Sequence, residues 1–236
     1  MKQNEFNPIG IDSQLDWGRI RKLLSIGLFA SVLHLAADML LGWGMQDETL
    51  SGIRRMFSAY GQLGNRAIYA AAIIGMISII LEGLSYFGVY RLMAEQSPKH
   101  AHSYRSGILG YIMFCPFGFH VMVCVIVYLL RNGAAELLNG FVRYFFLPGY
   151  LLFWIFFAVL VITQISAFAK GLTPYPKWCF LFSLPVGMLL AKAVNVFGNA
   201  SFVNAVDCAW IAIGNLWMFL GLLIMLKKVS GDRSNR

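Results

Sequence analysis

Six stretches of the sequence are long and apolar enough to cross a lipid bilayer as helices. A helix rises about 1.5 Å per residue, so roughly 20 apolar residues span a hydrocarbon layer of about 30 Å. Hydrophobic residues make up 58% of the 236 residues and charged residues 13%, too few to coat a soluble domain. The stretches are residues 23–43, 67–90, 106–130, 145–169, 178–197 and 205–226. The sequence therefore predicts an all-α integral membrane protein, a helical bundle with six transmembrane helices.

The distribution of lysine and arginine predicts the orientation of these spans. With a cytoplasmic N-terminus, thirteen basic residues fall in cytoplasmic segments and five in outer segments, as the positive-inside rule requires. The outer five are Arg54, Arg55, Arg66, Arg131 and Arg143. We therefore expect a cytoplasmic N-terminal segment at 1–22, a transmembrane domain at 23–226 and a cytoplasmic C-terminal tail at 227–236. The first 18 residues are polar and lack an apolar core before a cleavage site, so no cleavable signal peptide is expected.

Composition and spacing also bear on the partners of the protein and on the state of its cysteines. The net charge of +8 does not indicate nucleic acid as a partner, because the basic residues are spread over the loops and form no dense basic stretch. Membrane lipids are the expected surroundings. The cysteines lie in or beside apolar runs without CxxC spacing, so we expect buried free thiols. They are Cys115, Cys124, Cys179 and Cys208.

Two predicted outer connections are longer than a turn requires. Residues 45–62 and 132–144 mix apolar and charged side chains at near-helical spacing. Short helices on the outer surface and solvated linkers are both compatible with that pattern.

Ionisable residues inside the apolar stretches are the strongest functional signal. A charged group near the centre of a bilayer costs roughly 2.5–3.5 kcal/mol on insertion scales, so such groups are expected to face the bundle interior. His34 and Asp38 lie one helical turn apart in the first span and therefore share a face. His120 lies just beyond the middle of the third span, and Glu82 lies in the inner half of the second.

A further polar group is expected nearer the outer surface. Lys192 and Asn195 lie in the outer half of the fifth span, and Asp207 lies within about one turn of the outer end of the sixth. Lys192 and Asp207 are predicted to form an ion pair. Because most of these residues share one leaflet, the sequence predicts a polar cavity that opens toward the outer surface. The candidates for handling a ligand or protons are His34, Asp38, Glu82, His120, Lys192, Asn195 and Asp207.

Three kinds of function suit these residues, which leave open whether the protein is an enzyme. As a metal-dependent intramembrane hydrolase, it would bind zinc through His34, Asp38 and His120, with Asp207 as a further candidate ligand. As a proton-coupled transporter, it would use a relay of His34, Asp38, Glu82 and His120, although the sequence lacks the internal repeats typical of many transporters. As a non-catalytic structural or interaction protein, it would use the polar residues for packing. We expect binding or processing of an amphiphilic small molecule or lipid.

Two resemblances add to this reading. The His34-x-x-x-Asp38 spacing resembles the intramembrane hydrolase superfamily that includes alkaline ceramidases and the progestin and adiponectin receptors, which implies zinc held by histidines on separate spans. The sequence departs from that family in its six spans and in lacking a late pair of histidines, so the zinc ligands do not transfer residue by residue. The stretches LHLAADMLLGWG and PYPKW resemble an uncharacterised bacterial family of multi-pass membrane proteins. That resemblance implies the bacterial cytoplasmic (inner) membrane and no particular activity.

Overall fold

The computed structural model describes residues 15–234, and every regular element among them is a helix. Residues 1–14 and 235–236 lie outside it, and with them most of the predicted N-terminal segment, the end of the predicted tail, and most of the stretch searched for a signal peptide. The all-α class is confirmed. The α-helices are α1 (Trp17–Leu41), α2 (Gly52–Ser58), α3 (Asn65–Ala94), α4 (Pro98–Phe114), α5 (Met122–Arg131), α6 (Leu138–Phe141), α7 (Leu147–Ala169), α8 (Leu184–Ala193), α9 (Ser201–Cys208) and α10 (Trp210–Ser234).

Five helical stretches among the described residues are long and apolar enough to cross a membrane. They are Trp17–Leu41, Asn65–Ala94, Pro98–Arg131, Ala135–Ala169 and Trp210–Ser230. They coincide with five of the six predicted spans. Large apolar side chains on these helices are exposed. Examples are Phe29, Ile155, Ile162 and Ile224, whose exposed fractions are 62%, 58%, 66% and 62%. An apolar exterior of this extent is unusual for a soluble monomer and is compatible with integration into a membrane.

The segment predicted as the fifth span has a different form. It begins with a 3₁₀-helix at Lys177–Leu181 and continues in α8, which is ten residues long, and in a 3₁₀-helix at Val194–Phe197. Pro185 lies in the first turn of α8, where a residue without a backbone N–H is tolerated. The same residue cannot continue a helix from the residues before it, so α8 begins there. The apolar helix Leu184–Phe197 is therefore shorter than the five long ones.

A widened turn interrupts the long helix between α4 and α5. Residues Cys115–Val121 form a π-helix, and Pro116 lies at its start. Proline removes one backbone hydrogen bond from a helix and clashes with the preceding turn, so the chain widens there without breaking. His120 lies near the end of this turn and is buried. The proline thus determines the local backbone on which one candidate site residue is carried.

Helix α1 packs between two other long helices. It contacts α3 on one side and α10 on another, while α4 packs against both α3 and α7, and α8 packs against α10. Gly187 of α8 and Gly214 of α10 permit the last contact, because a Cβ on Gly187 would lie 2.8 Å from the Cα of Gly214. Large aromatic residues fill the space between the helices; they include Tyr86, Tyr111, Phe153 and Phe219. The polar residues His34 and Asp38 on α1 face α3 and the π-helical turn.

Both of the long connections that were predicted to lie outside contain short helices. Residues 45–62 include α2 and a 3₁₀-helix at Ala59–Gln62, and the side chains of Phe57 and Ala59 are buried beneath them. Residues 132–144 include a 3₁₀-helix at Ala135–Leu137 and the short helix α6. Of the two alternatives for these connections, the helical one is therefore correct.

Candidate functional site

A cavity of about 410 Å³ lies between α1, the π-helical turn, the start of α10 and the connection at 45–62. Its walls are mainly apolar and aromatic. Leu41, Phe57, Phe119, Phe146, Trp210 and Ile211 are among the residues that form them. The polar residues that reach the cavity include His34, Asp38, His120, Lys192 and Asp207. Five of the seven sequence-predicted candidates therefore line one cavity.

His34 and Asp38 contact each other directly, as their spacing predicts. His34 Nε2 lies 3.2 Å from Asp38 Oδ2, one turn along α1, and both side chains are buried. The predicted common face is confirmed. This leaves His34 Nδ1 on the opposite side of the ring, directed away from Asp38.

Glu82 binds that second nitrogen. His34 Nδ1 lies 3.0 Å from Glu82 Oε2, and Glu82 has no exposed area. The same carboxylate oxygen accepts hydrogen bonds from the Tyr111 hydroxyl at 3.1 Å and from Nδ2 of Asn215 at 2.8 Å. Tyr86 donates in turn to the side-chain oxygen of Asn215. Glu82 thus lies behind His34 as seen from the cavity and is held by side chains of α4 and α10.

His120 closes the network from the π-helical turn. Its Nδ1 lies 3.2 Å from Asp38 Oδ1, so the two oxygens of Asp38 each face one imidazole. Its Nε2 lies 3.1 Å from the carbonyl oxygen of Ala71 in α3. A carbonyl only accepts, so Nε2 must carry the proton of this contact. Space for the ring exists because residue 75 is glycine; a Cβ there would lie 2.0 Å from Nε2.

The network requires more positive charge than two neutral imidazoles provide. Each of the four ring nitrogens of His34 and His120 contacts an oxygen of Asp38, Glu82 or Ala71. Each neutral imidazole has one N–H, so the two rings supply protons at only two of these four nitrogens. Two more protons, or one divalent cation in their place, would complete the contacts and balance the two carboxylates. Burying a carboxylate without a compensating positive charge costs folding free energy, so the network needs these added charges.

Three members of the network are also arranged to hold a metal ion. One potential ligand atom from each of His34, Asp38 and His120 lies within 4.8 Å of the others. This is the set that the sequence predicts. Asp207, considered as a further ligand, does not belong to it because its carboxylate is bound elsewhere.

Asp207 forms a second polar group with Lys192 and Asn195. Lys192 Nζ and Asn195 Nδ2 each lie 2.6 Å from Asp207 Oδ1, and Lys192 Nζ also lies 4.7 Å from the centre of the Trp210 ring. The predicted ion pair between Lys192 and Asp207 is confirmed. Both side chains remain partly exposed, so the attraction between them is weakened by solvent where they meet water.

The connection at 45–62 covers the cavity on one side. Asn199, before α9, accepts a hydrogen bond from the backbone N–H of Gln46 at 3.0 Å and donates to its carbonyl at 2.9 Å. Asn204 donates to the carbonyl of Gly44 at 2.7 Å. Hydrogen bonds from Thr49 lower the pKa of the Asp47 carboxyl, which stays ionised at the surface of this cover. The cover is therefore fixed to the start of α9.

The structure brings the candidates together in two groups. His34, Asp38, Glu82 and His120 form one network, and Lys192, Asn195 and Asp207 form another. Glu82 and Asn195 do not line the cavity. Sequence reasoning missed Tyr111, Asn215 and Tyr86; a polar Asn215 within an apolar run was the available signal. All four cysteines are free, as expected, with three buried and Cys208 partly exposed.

The helices and the network define the class of protein. Within residues 15–234 it is a helical bundle that has five helices long and apolar enough to span a membrane, with ionisable residues on the wall of a cavity. The chain belongs to a family of unknown function, DUF6796, whose model matches residues 1–229. The resemblance to an uncharacterised family is thereby confirmed. No curated protein and no solved structure matches the chain. The family brings no activity with it, so function has to be inferred from the site.

Proposed function

We propose that this protein is an integral membrane protein that binds an amphiphilic small molecule or lipid in the cavity beneath residues 45–62. One observation carries the proposal: a mainly apolar cavity of about 410 Å³ has buried ionisable groups on its wall. Ligand sites in proteins are commonly apolar clefts of about 300–1,000 Å³ with a few convergent polar groups that orient the ligand. The apolar walls suit the acyl chain of such a ligand, and the polar residues suit its polar head group.

We further propose six crossings, with both termini in the cytoplasm of a bacterial cell and the protein in its inner membrane. The antiparallel packing of α8 against α10 supports the extra crossing. Near one end, Tyr175 donates a hydrogen bond to the carbonyl of Leu222 at 3.0 Å; near the other, Lys192 pairs with Asp207. The segment between Tyr175 and Lys192 therefore runs beside the first half of α10. The excess of basic residues in the proposed cytoplasmic segments supports the orientation.

The binding proposal is tested with palmitic acid that carries a photoactivatable diazirine. Purified protein in detergent is irradiated with this probe, and the cross-linked peptides are identified by mass spectrometry. Val142→Trp fills the cavity from its wall, and Val32→Trp adds the same bulk to an exposed position on α1 as the matched control. We expect cross-links at residues that line the cavity, lost in Val142→Trp and kept in Val32→Trp. Equal labelling of both variants, confined to the exterior, would reject the proposal.

Proton-coupled transport is a second candidate because the network is continuous. Contacts run from His120 through Asp38 and His34 to Glu82, a chain of groups that can exchange protons. The test is proton entry into liposomes that contain the protein, followed with a pH-sensitive dye. A relay through the network requires that Glu82→Gln abolish this entry. Entry that is unchanged in the variant would reject the relay.

A further inference from the structure

We infer that His34, Asp38 and His120 bind one divalent transition-metal ion, of the zinc type, at the wall of the cavity. This goes beyond the proposed binding of an amphiphile and does not depend on it. Zinc in open sites is held by three protein ligands drawn from histidine and carboxylate side chains, and a fourth position is left for water or substrate. Two imidazoles and one carboxylate supply such a set.

The ligand atoms need only small movements to meet one ion. His34 Nε2 and His120 Nδ1 both face the Asp38 carboxylate at 3.2 Å. Ligand atoms bound at about 2.0–2.2 Å in a tetrahedral site lie roughly 3.3–3.6 Å apart. The potential ligand atoms here already lie within 4.8 Å of one another, on side chains that are almost fully buried.

The ring nitrogens that would not touch the metal are already occupied. His34 Nδ1 contacts the Glu82 carboxylate and His120 Nε2 contacts the Ala71 carbonyl. A metal-bound histidine usually donates its other N–H to a carboxylate or a backbone carbonyl, which fixes the tautomer and orients the ring. Both partners are present, one for each ring. They leave His34 Nε2 and His120 Nδ1 free to coordinate.

Charge balance is consistent with the same conclusion, since one divalent ion supplies the two positive charges that two added protons would otherwise supply. Asp38 and Glu82 are both buried, and the described residues of this network include two imidazoles but no lysine or arginine. One divalent ion with two neutral imidazoles cancels the charge of the two carboxylates. The ion would therefore relieve the cost of burying these groups.

The fourth metal position would face the cavity. His34, Asp38 and His120 all line it, whereas Glu82 lies behind His34 and does not. A ligand head with a carbonyl or phosphoryl oxygen could occupy this position and be polarised by the ion. The class of ligand is thus narrowed to amphiphiles whose head carries such an oxygen.

Cobalt(II) provides the test, because its visible absorption reports the number and kind of its ligands. Protein purified with a tag free of histidine is stripped with a chelator, dialysed and titrated with Co²⁺. We expect one Co²⁺ per chain, with absorption bands of a site that has nitrogen and oxygen ligands, and displacement by Zn²⁺. His34→Ala and His120→Ala should each lose the bands. His102→Ala, which removes an exposed histidine outside the network, should keep them.

The wild-type titration decides the inference even if an alanine variant fails to fold. Folded wild-type protein that binds no Co²⁺ would overturn the inference. Folded His34→Ala and His120→Ala proteins that bind Co²⁺ as well as the wild type would also overturn it. Photolabelling by the palmitic acid probe, in metal-free and in Zn²⁺-loaded protein, separates the two proposals. Labelling without metal binding would leave the cavity proposal intact, and metal binding without labelling would reject that proposal alone.

Discussion

The carboxylate of Glu82 on α3 lies 3.0 Å from Nδ1 of His34 on α1, and it is fully buried at this contact. The contact determines which nitrogen of His34 points toward Asp38 and the cavity. Asn215 and Tyr111 hold the carboxylate from the other side, so its position does not depend on His34. The orientation of the imidazole is consequently fixed from outside the cavity.

Replacing Glu82 with glutamine should weaken metal binding without abolishing it. Glutamine keeps the shape of the side chain but removes the charge that orients His34 and strengthens it as a ligand. Loss of such a partner typically lowers metal affinity by about 10–100-fold. Competition with a chelating dye measures the dissociation constant. Glu95→Gln makes the same change at an exposed carboxylate and should leave the affinity as in wild type. Equal affinities in the two variants would contradict the role given to Glu82.

Replacing Gly75 with alanine should displace His120. The new Cβ would lie 2.0 Å from Nε2 and would break the hydrogen bond to Ala71. Overpacking of this kind costs about 1–3 kcal/mol, so thermal unfolding in detergent should occur at a lower temperature. Co²⁺ binding should weaken in the same variant. Gly140→Ala is the matched control, because a Cβ there meets nothing within 4 Å. A Gly75→Ala protein with wild-type stability and Co²⁺ bands would show that the ring is free to move.

Replacing Gly187 with alanine should separate α8 from α10. The new Cβ would lie 2.8 Å from Cα of Gly214 and 2.7 Å from Cβ of Trp217. Backbone atoms cannot turn aside, so a loss of about 1–3 kcal/mol is expected. Thermal unfolding measures it, again with Gly140→Ala for comparison. Unchanged stability would mean that the two helices are not in close contact in the membrane.

The sixth crossing predicts that the two ends of the segment from residue 177 to residue 200 lie on opposite sides of the membrane. Lys177→Cys and Ala200→Cys introduce thiols at exposed positions near these ends. A maleimide that cannot cross membranes should label Ala200→Cys in intact cells and Lys177→Cys only after lysis. The wild-type chain serves as the blank, since three of its cysteines are buried. Labelling of both variants in intact cells would contradict six crossings.

The helices were predictable because an apolar run of about 20 residues has few other ways to satisfy its backbone in a bilayer. The sequence predicts one continuous helix over residues 178–197, as for the other spans. Pro185 starts a new helix within this segment, so only part of it is α-helical. Among the site residues, His34 and Asp38 were paired by their spacing alone. A fixed interval along one helix determines a shared face.

Contacts between helices were beyond the sequence. Position along a span gives the depth of Glu82 and His120, but not the rotation of their helices. The sequence could therefore group them with His34 and Asp38, but it could not give the atoms that are in contact. Asn215 joins the network from α10, although it lies 133 residues after Glu82 in the chain. Ala71 takes part through its carbonyl, and a backbone contact leaves no mark on the side-chain pattern.

The glycine beside His120 has an evolutionary consequence. Any side chain at position 75 would occupy the volume of the imidazole, so the two positions cannot vary independently while the backbone stays as it is. Members of the DUF6796 family that retain the histidine should therefore retain the glycine. Members in which the glycine has become a larger residue should have exchanged the histidine as well. Such paired exchanges would divide the family into one group that keeps this site and another that has lost it.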